Sequence, residues 1–176
     1  MSHDWSEITK SHGPLVWTAV YRILRSHSES LDCYQDVMLE AFEQSKTRHV
    51  DNWPGYLRWL AVRRGLDRLR ARTRSKALVS ETPDIDLVSR VDQSNAASLE
   101  LEELKARLRS ELGSLPALQA EAFWLRFVEQ MSYLEIAQQM DLEQSAVGVL
   151  IHRAKPRVRK ALSDLQPQTR SARSEQ

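Results

Sequence analysis

The sequence predicts an all-α protein of two small helical domains joined by a flexible linker. Three observations carry this. Apolar residues recur at gaps of three and four through both halves, the spacing of one face of an α-helix. Strand-like alternation is nearly absent. Between Thr73 and Ser98 the periodicity fades into Ser, Thr, Asp, Asn and Pro83. The chain of 176 residues therefore divides into a first domain over 1–76, a linker over 77–98, a second domain over 99–165 and a polar, disordered tail over 166–176.

The first helix is expected to follow Gly13-Pro14, since proline is tolerated in a first turn, and to run through Leu15, Val16, Val20, Ile23 and Leu24. Ser26 to Ser30 reads as a turn. A second amphipathic helix carries Leu31, Tyr34, Met38 and Phe42 and ends near Ser45. Asp51 or Asn52 can cap a third helix that begins at Trp53-Pro54 and runs through Leu57, Leu60, Ala61 and Leu69. After the linker, Leu99, Leu101, Leu104, Leu108 and Leu112 form a stripe that Gly113 should stop. Ser114-Leu-Pro116 then opens a helix containing Ala120, Phe123, Trp124 and Phe127.

The last two helices have the most specific signature. Ser132-Tyr-Leu-Glu135 is a capping box, in which the Ser hydroxyl accepts from the Glu amide and the Glu carboxylate returns the bond. Ile136, Ala137 and Met140 follow. Asp141 stands where a left-handed turn is needed, Leu142 plugs the core, and a final helix runs from Glu143 past Val147 and Ile151 toward Lys155. Small Ala137 permits a close crossing. This is the spacing of a helix-turn-helix whose second helix enters a major groove. An ordinary helical hairpin is the competing reading. Pro156 should end or kink the last helix.

The net charge of +1 hides two basic patches. Arg58, Arg63, Arg64, Arg68, Arg70, Arg72, Arg74 and Lys76 face only Asp67. Arg153, Lys155, Arg157, Arg159 and Lys160 face no acid at all, and an acidic segment with Glu81, Asp84, Asp86 and Asp92 lies between the patches. Solvated helix faces would also carry such charges, but two separated patches suit a polyanion such as nucleic acid. About 25 flexible residues span roughly 25–30 Å on average and reach roughly 80 Å when extended, so two modules joined this way can touch separate DNA sites. Trp53, Tyr56 and Trp59 lie just ahead of the arginines and offer stacking surfaces for unpaired bases, or core. Trp53, beside Pro54 and the loop, is the expected exposed member.

Other classes are poorly served. One cysteine, Cys33, excludes a disulfide framework and a Cys-based zinc cluster, and fits a reducing cytoplasm. No apolar run approaches the roughly 20 residues that span a bilayer, and the N-terminus lacks a secretory pattern. The five histidines show no ligand spacing with a nearby carboxylate, and there is neither a phosphate-binding glycine loop nor a nucleophile elbow. No cofactor, metal or turnover is expected.

Leu134 to Lys155 resembles region 4 of the bacterial extracytoplasmic-function sigma factors, in which the helix-turn-helix reads the −35 promoter element; Leu115-Pro116 and Phe123–Phe127 match the helix that leads into it. Ser30 to Phe42 is similar to the region 2 helix that docks on the clamp helices of the polymerase largest subunit. Trp53 to Arg74, with Trp59-Leu60, Ala61, Asp67 and the arginine run, is similar to the segment that melts and reads the −10 element. The resemblance spans about residues 8–76 and 99–165.

It implies a non-catalytic subunit whose partners are core RNA polymerase and promoter DNA, with an anti-sigma factor as a candidate partner and no membrane. It implies polymerase contacts at Asp32, Gln35, Asp36 and Leu39, and −10 contacts and melting at Trp53, Tyr56, Trp59, Arg63, Arg64, Arg68, Arg70 and Arg72. It implies −35 contacts at Gln144, Ser145, Gly148, Val149, His152, Arg153 and Lys155. Two departures stand out. Arg63 replaces a common Asn, and Gly148, Val149 and Leu150 replace Lys, Ser and Arg, which leaves Gln144, Ser145 and His152 as the polar readers. An autonomous dimeric helix-turn-helix regulator is the alternative; it leaves the aromatic and arginine clustering after Trp53 without a purpose.

Overall fold

The computed structural model describes residues 5–47, 49–78 and 96–163, and among them seven helices follow in chain order. They are α1 (Trp5–Leu24), α2 (His27–Thr47), α3 (Trp53–Leu78), α4 (Ala96–Ser114), α5 (Ala117–Phe127), α6 (Tyr133–Met140) and α7 (Gln144–Ser163). No strand occurs among the described residues, in agreement with the all-α expectation. None of these helices is long and apolar enough to cross a membrane.

Helix α3 is the axis of the fold. Its buried residues Leu57, Leu60, Ala61, Val62, Leu66 and Leu69 face α1 and α2 on one side and α4, α5 and α6 on the other. Side chains from both halves join one continuous apolar core, in which Val16, Ile23, Val37, Leu112, Leu125, Ile136 and Ile151 are almost wholly removed from water. Gly65 lets α1 approach, since a Cβ there would stand 2.9 Å from Ile23 Cδ1.

Local signals are honoured where they act within a few residues. Asn52 Oδ1 accepts from the Gly55 amide at 3.0 Å and caps α3. Both bonds of the Ser132–Glu135 capping box form, at 3.2 and 2.7 Å, and Asp141 adopts the left-handed conformation at φ 54°.

Helix-breaking signals are overridden. Helix α1 begins at Trp5 rather than after Pro14, because Ile8 reaches the core and Trp5 packs on Phe42 and Trp53 at ring separations of 5.2 and 5.7 Å, while the Pro14 ring points to solvent. The turn expected over Ser26 to Ser30 shrinks to Arg25 and Ser26: Arg25 takes φ 56°, Ser26 Oγ accepts from the Glu29 amide at 3.4 Å, and Ser30 is already buried in α2. In α2 the buried stripe is Ser30, Cys33, Val37, Met38 and Ala41, whereas Leu31 is exposed, because small residues let α2 lie close to its neighbours.

Helix α4 ends at Ser114, one residue past the Gly113 expected to stop it, and a Cβ on Gly113 would be 2.8 Å from Thr73 Oγ1. Ser114 does not cap α5: Pro116 holds the N-cap position with no side-chain bond, and Ser114 Oγ donates to the Glu111 carbonyl and accepts from Arg157. Pro156 lies inside α7 without ending it, because Val158 beyond it is buried and Arg157 pairs with Glu111 at 2.9 Å. Helices α3 and α4 each extend into the segment read as linker; the rest of that segment, and the tail over 166–176, lie outside the described residues.

Candidate nucleic-acid interface

The aromatic cluster at the start of α3 is largely core. Trp53, expected to be exposed, keeps only 8% of its surface and is wedged between Trp5 and Tyr56. Its cover comes from the first turn of α1, a stretch read from sequence as lying ahead of the helix. Tyr56 is equally buried and packs on Trp59 at 5.7 Å. Trp59 is half-buried, and the Arg63 guanidinium lies 5.4 Å from its ring centroid. Of the three proposed stacking surfaces, Trp59 with its overlying cation is the one that still meets solvent.

The arginines of α3 are not loose charges. Arg64 pairs with Glu40, Arg68 with Asp36, and Arg72 with Glu29 at 3.1 Å while also donating to the Leu24 carbonyl at 3.4 Å. Three carboxylates of α2 thus run antiparallel to three arginines of α3. Arg70 pairs with Asp67 and reaches the Ala117 carbonyl of α5 at 3.3 Å, leaving its side chain 13% exposed. Arg63 is exposed.

The residues singled out on α2 split accordingly. Asp32, Gln35 and Leu39 form an open face, with Leu39 62% exposed, but Asp36 is already engaged by Arg68. Cys33 lies beneath this face, and burial pushes its thiol up to about 11, so it is no nucleophile at neutral pH.

The helix-turn-helix presents α7 outward. Gln144, Ser145, Val149, His152, Arg153 and Lys155 are exposed, and Gly148 is half-buried beside Tyr133. Val147, Ile151 and Ala154 turn inward, so the exposed residues share the opposite face, and Lys155 sits 5.3 Å from the Phe127 ring. Such a face can enter a groove with its first turn toward the bases and its basic end on phosphates.

Sequence reasoning missed the seam between the halves. Glu129, its side chain 8% exposed, lies 3.7 Å from both Arg22 and Arg58, and Arg25 pairs with Glu102 at 3.3 Å. Glu121 of α5 is buried, and no hydrogen bond or ion pair engages it among the described residues. Burial pushes its carboxyl up to about 7; Arg70 and Arg63 pull the other way, while Asp67 adds to the rise. A signal was present: Glu121 is the one charge in the run Ala120 to Leu125, and a helix apolar all round is a buried one. No group of three or more metal-ligating side chains gathers among the described residues.

The family profile for sigma-70 region 2 matches residues 8–75, and that for sigma-70 region 4 matches residues 105–158. The chain is 26% identical over 162 residues to the ECF RNA polymerase sigma factor SigE of Mycolicibacterium smegmatis, covering 91% of this chain and 62% of that relative. In fold it is similar to the sigma factor RpoE in its co-crystal with the anti-sigma factor NepR from Bartonella quintana. That likeness has a TM-score of 0.58 at 17% identity and covers 93% of this chain and 99% of that one.

Proposed function

The chain belongs to the extracytoplasmic-function sigma factors, a family of non-enzymatic transcription initiation factors, and on that premise we propose that it binds core RNA polymerase, engages the −10 and −35 promoter elements and promotes melting between them. The observation that carries this reading is the pairing of surfaces on one chain. An open α2 face (Asp32, Gln35, Leu39) adjoins the arginine row of α3, and a separate helix-turn-helix presents Gln144, Ser145, His152, Arg153 and Lys155 to solvent.

Each surface has a chemistry suited to its role. Leu39 and the acids beside it suit a basic surface of the polymerase that also buries an apolar side chain. Trp59 offers a face for an extruded base beside Arg63, while Arg64, Arg68, Arg70 and Arg72 neutralise phosphates once their carboxylate partners release them. In α7 the first-turn Gln144 and Ser145 are the base readers. Gly148 and Val149 supply close approach and apolar contact, and Arg153 and Lys155 grip the backbone. Contacts that are each weak add up when one chain can make them together. An anti-sigma protein is a further candidate partner, as for RpoE with NepR.

The test is co-purification of the tagged chain with core polymerase, followed by run-off transcription on genomic fragments. Stoichiometric binding with new start sites is the expected result. A footprint made by the chain alone, as a dimer on a palindrome and with no polymerase bound, refutes this reading in favour of an autonomous regulator.

A further inference from the structure

Arg63 stands apart from the other arginines that run from Arg58 to Arg72 on α3. Arg58 pairs with Glu129, Arg64 with Glu40, Arg68 with Asp36, Arg70 with Asp67 and Arg72 with Glu29. No carboxylate pairs with Arg63 among the described residues; Glu121 of α5 feels its charge but forms no ion pair with it. The contact Arg63 does make is with the ring of Trp59. The two lie four residues apart in the chain, one helical turn, and so share a face of α3. Arg63 is exposed and Trp59 half-buried, which leaves both within reach of a ligand.

The place of that contact matters. A group centred over a ring stands about 3.5–4 Å above it, whereas the Arg63 guanidinium carbon lies 5.4 Å from the Trp59 centroid. The cation therefore covers the margin of the indole and leaves the rest of that face to another planar group. A base laid there meets the guanidinium edge to edge. Arginine presents a rigid fork of N–H donors and no acceptor, so the edge that suits it carries two adjacent acceptors. Guanine offers O6 and N7, whereas adenine sets an amino donor beside N7 and thymine sets a methyl group beside O4. Unpaired cytosine has such a pair in O2 and N3, but its single ring covers less of the indole than a purine does.

We propose that Trp59 and Arg63 form a guanine-reading site for an unpaired DNA strand, with the indole as platform and the guanidinium fork bonding O6 and N7. The site rests on the sigma-factor reading for the presence of a melted strand, and it adds to that reading the identity of the base. The arginines with carboxylate partners suit phosphates, which carry no sequence; Arg63, without one, is the member of the row that selects. The probes are fluorescein-labelled single strands of oligo-dT, either uniform or with one central dG, dA or dC. A single strand slides until the site finds its base, so no promoter sequence is needed. Fluorescence anisotropy reads binding by the full chain alone and by its complex with core polymerase, with core polymerase alone as the blank.

The strand with dG should bind about tenfold tighter than uniform dT, in the lower part of the range for one bidentate pair. Arg63→Gln should move the preference to dA, because glutamine pairs with N6 and N7 of adenine, and Arg63→Ala should abolish it. Arg63 is exposed, so both variants should keep the parent's far-UV circular dichroism. Equal affinities for all strands in the parent, a preference for dC, or binding of no strand by either form overturns the site. So does an Arg63→Gln variant that weakens every strand alike and lowers the salt slope by about one, the mark of a phosphate contact. If the chain recruits no polymerase and drives no transcription, the sigma-factor reading fails, and the comparison of strands with the chain alone still decides whether Trp59 and Arg63 read guanine.

Discussion

Replacing Glu121 by Gln tests the electrostatics of the seam directly, because the two possible accounts of this carboxyl predict opposite signs. Burial lifts the group from an ordinary 4.5 to about 7 despite the pull of Arg70 and Arg63. The protonated form is therefore favoured in the folded chain. Its stabilisation is fully present below pH 4.5 and is lost as pH rises through about 7. The displacement corresponds to about 3 kcal/mol between the ends of that window. Glutamine keeps the size and hydrogen-bonding capacity of the protonated acid and does not titrate. The variant should thus be more stable than the parent by about 1 kcal/mol at pH 5 and about 3 kcal/mol at pH 8. Urea unfolding of both proteins at the two pH values reads this, and differencing variant against parent cancels every other titrating group. If Glu121 were instead held ionised by its arginines, removing the charge would cost roughly 3–5 kcal/mol at pH 8. That penalty would shrink in acid. A variant less stable at pH 8 than at pH 5, relative to the parent, refutes the reasoning.

Two further outcomes are expected. Ser132→Ala removes the acceptor for the Glu135 amide at 3.2 Å and should cost about 1 kcal/mol, seen as a thermal midpoint lowered by roughly 2–4 °C; an unchanged midpoint would mean that the capping box adds nothing to α6. Arg68→Ala combined with Arg70→Ala should weaken promoter opening by the polymerase complex and flatten its dependence on salt by about one per lost phosphate contact. A slope identical to that of the parent would remove both arginines from the DNA contact.

The reach of sequence reasoning here follows from the range over which each signal acts. Asn52, the Ser132–Glu135 box and Asp141 were legible because a cap or a left-handed turn is settled by atoms within four residues. Pro14 did not open α1 and Pro156 did not end α7, because a breaker states the preference of an isolated helix and each is outvoted by core contacts on both sides: Ile8 and Val16, Ala154 and Val158. Trp53 misled for a related reason, since its cover, Trp5, comes from another helix. The candidate surfaces divide in the same way. The α7 face was legible because a helix-turn-helix fixes which side of its second helix is exposed. The α3 arginines were legible as a row, but not their partners, which lie on α2 at a separation of 24 to 43 residues.

Those partners change what the surface can do. A polymerase cation that takes the Asp36 oxygen now bonded to Arg68 competes with that guanidinium, so the residues assigned to two sites form a single exchangeable pair. An exposed ion pair of this kind is worth less than about 1 kcal/mol, little enough for either partner to be drawn away. A polymerase surface that takes Asp36 leaves the Arg68 guanidinium without its carboxylate, and a DNA phosphate is the anion best shaped to replace it. On the sigma-factor reading, polymerase contact at α2 and DNA contact at α3 therefore favour one another through this pair, with no movement of the helices between them.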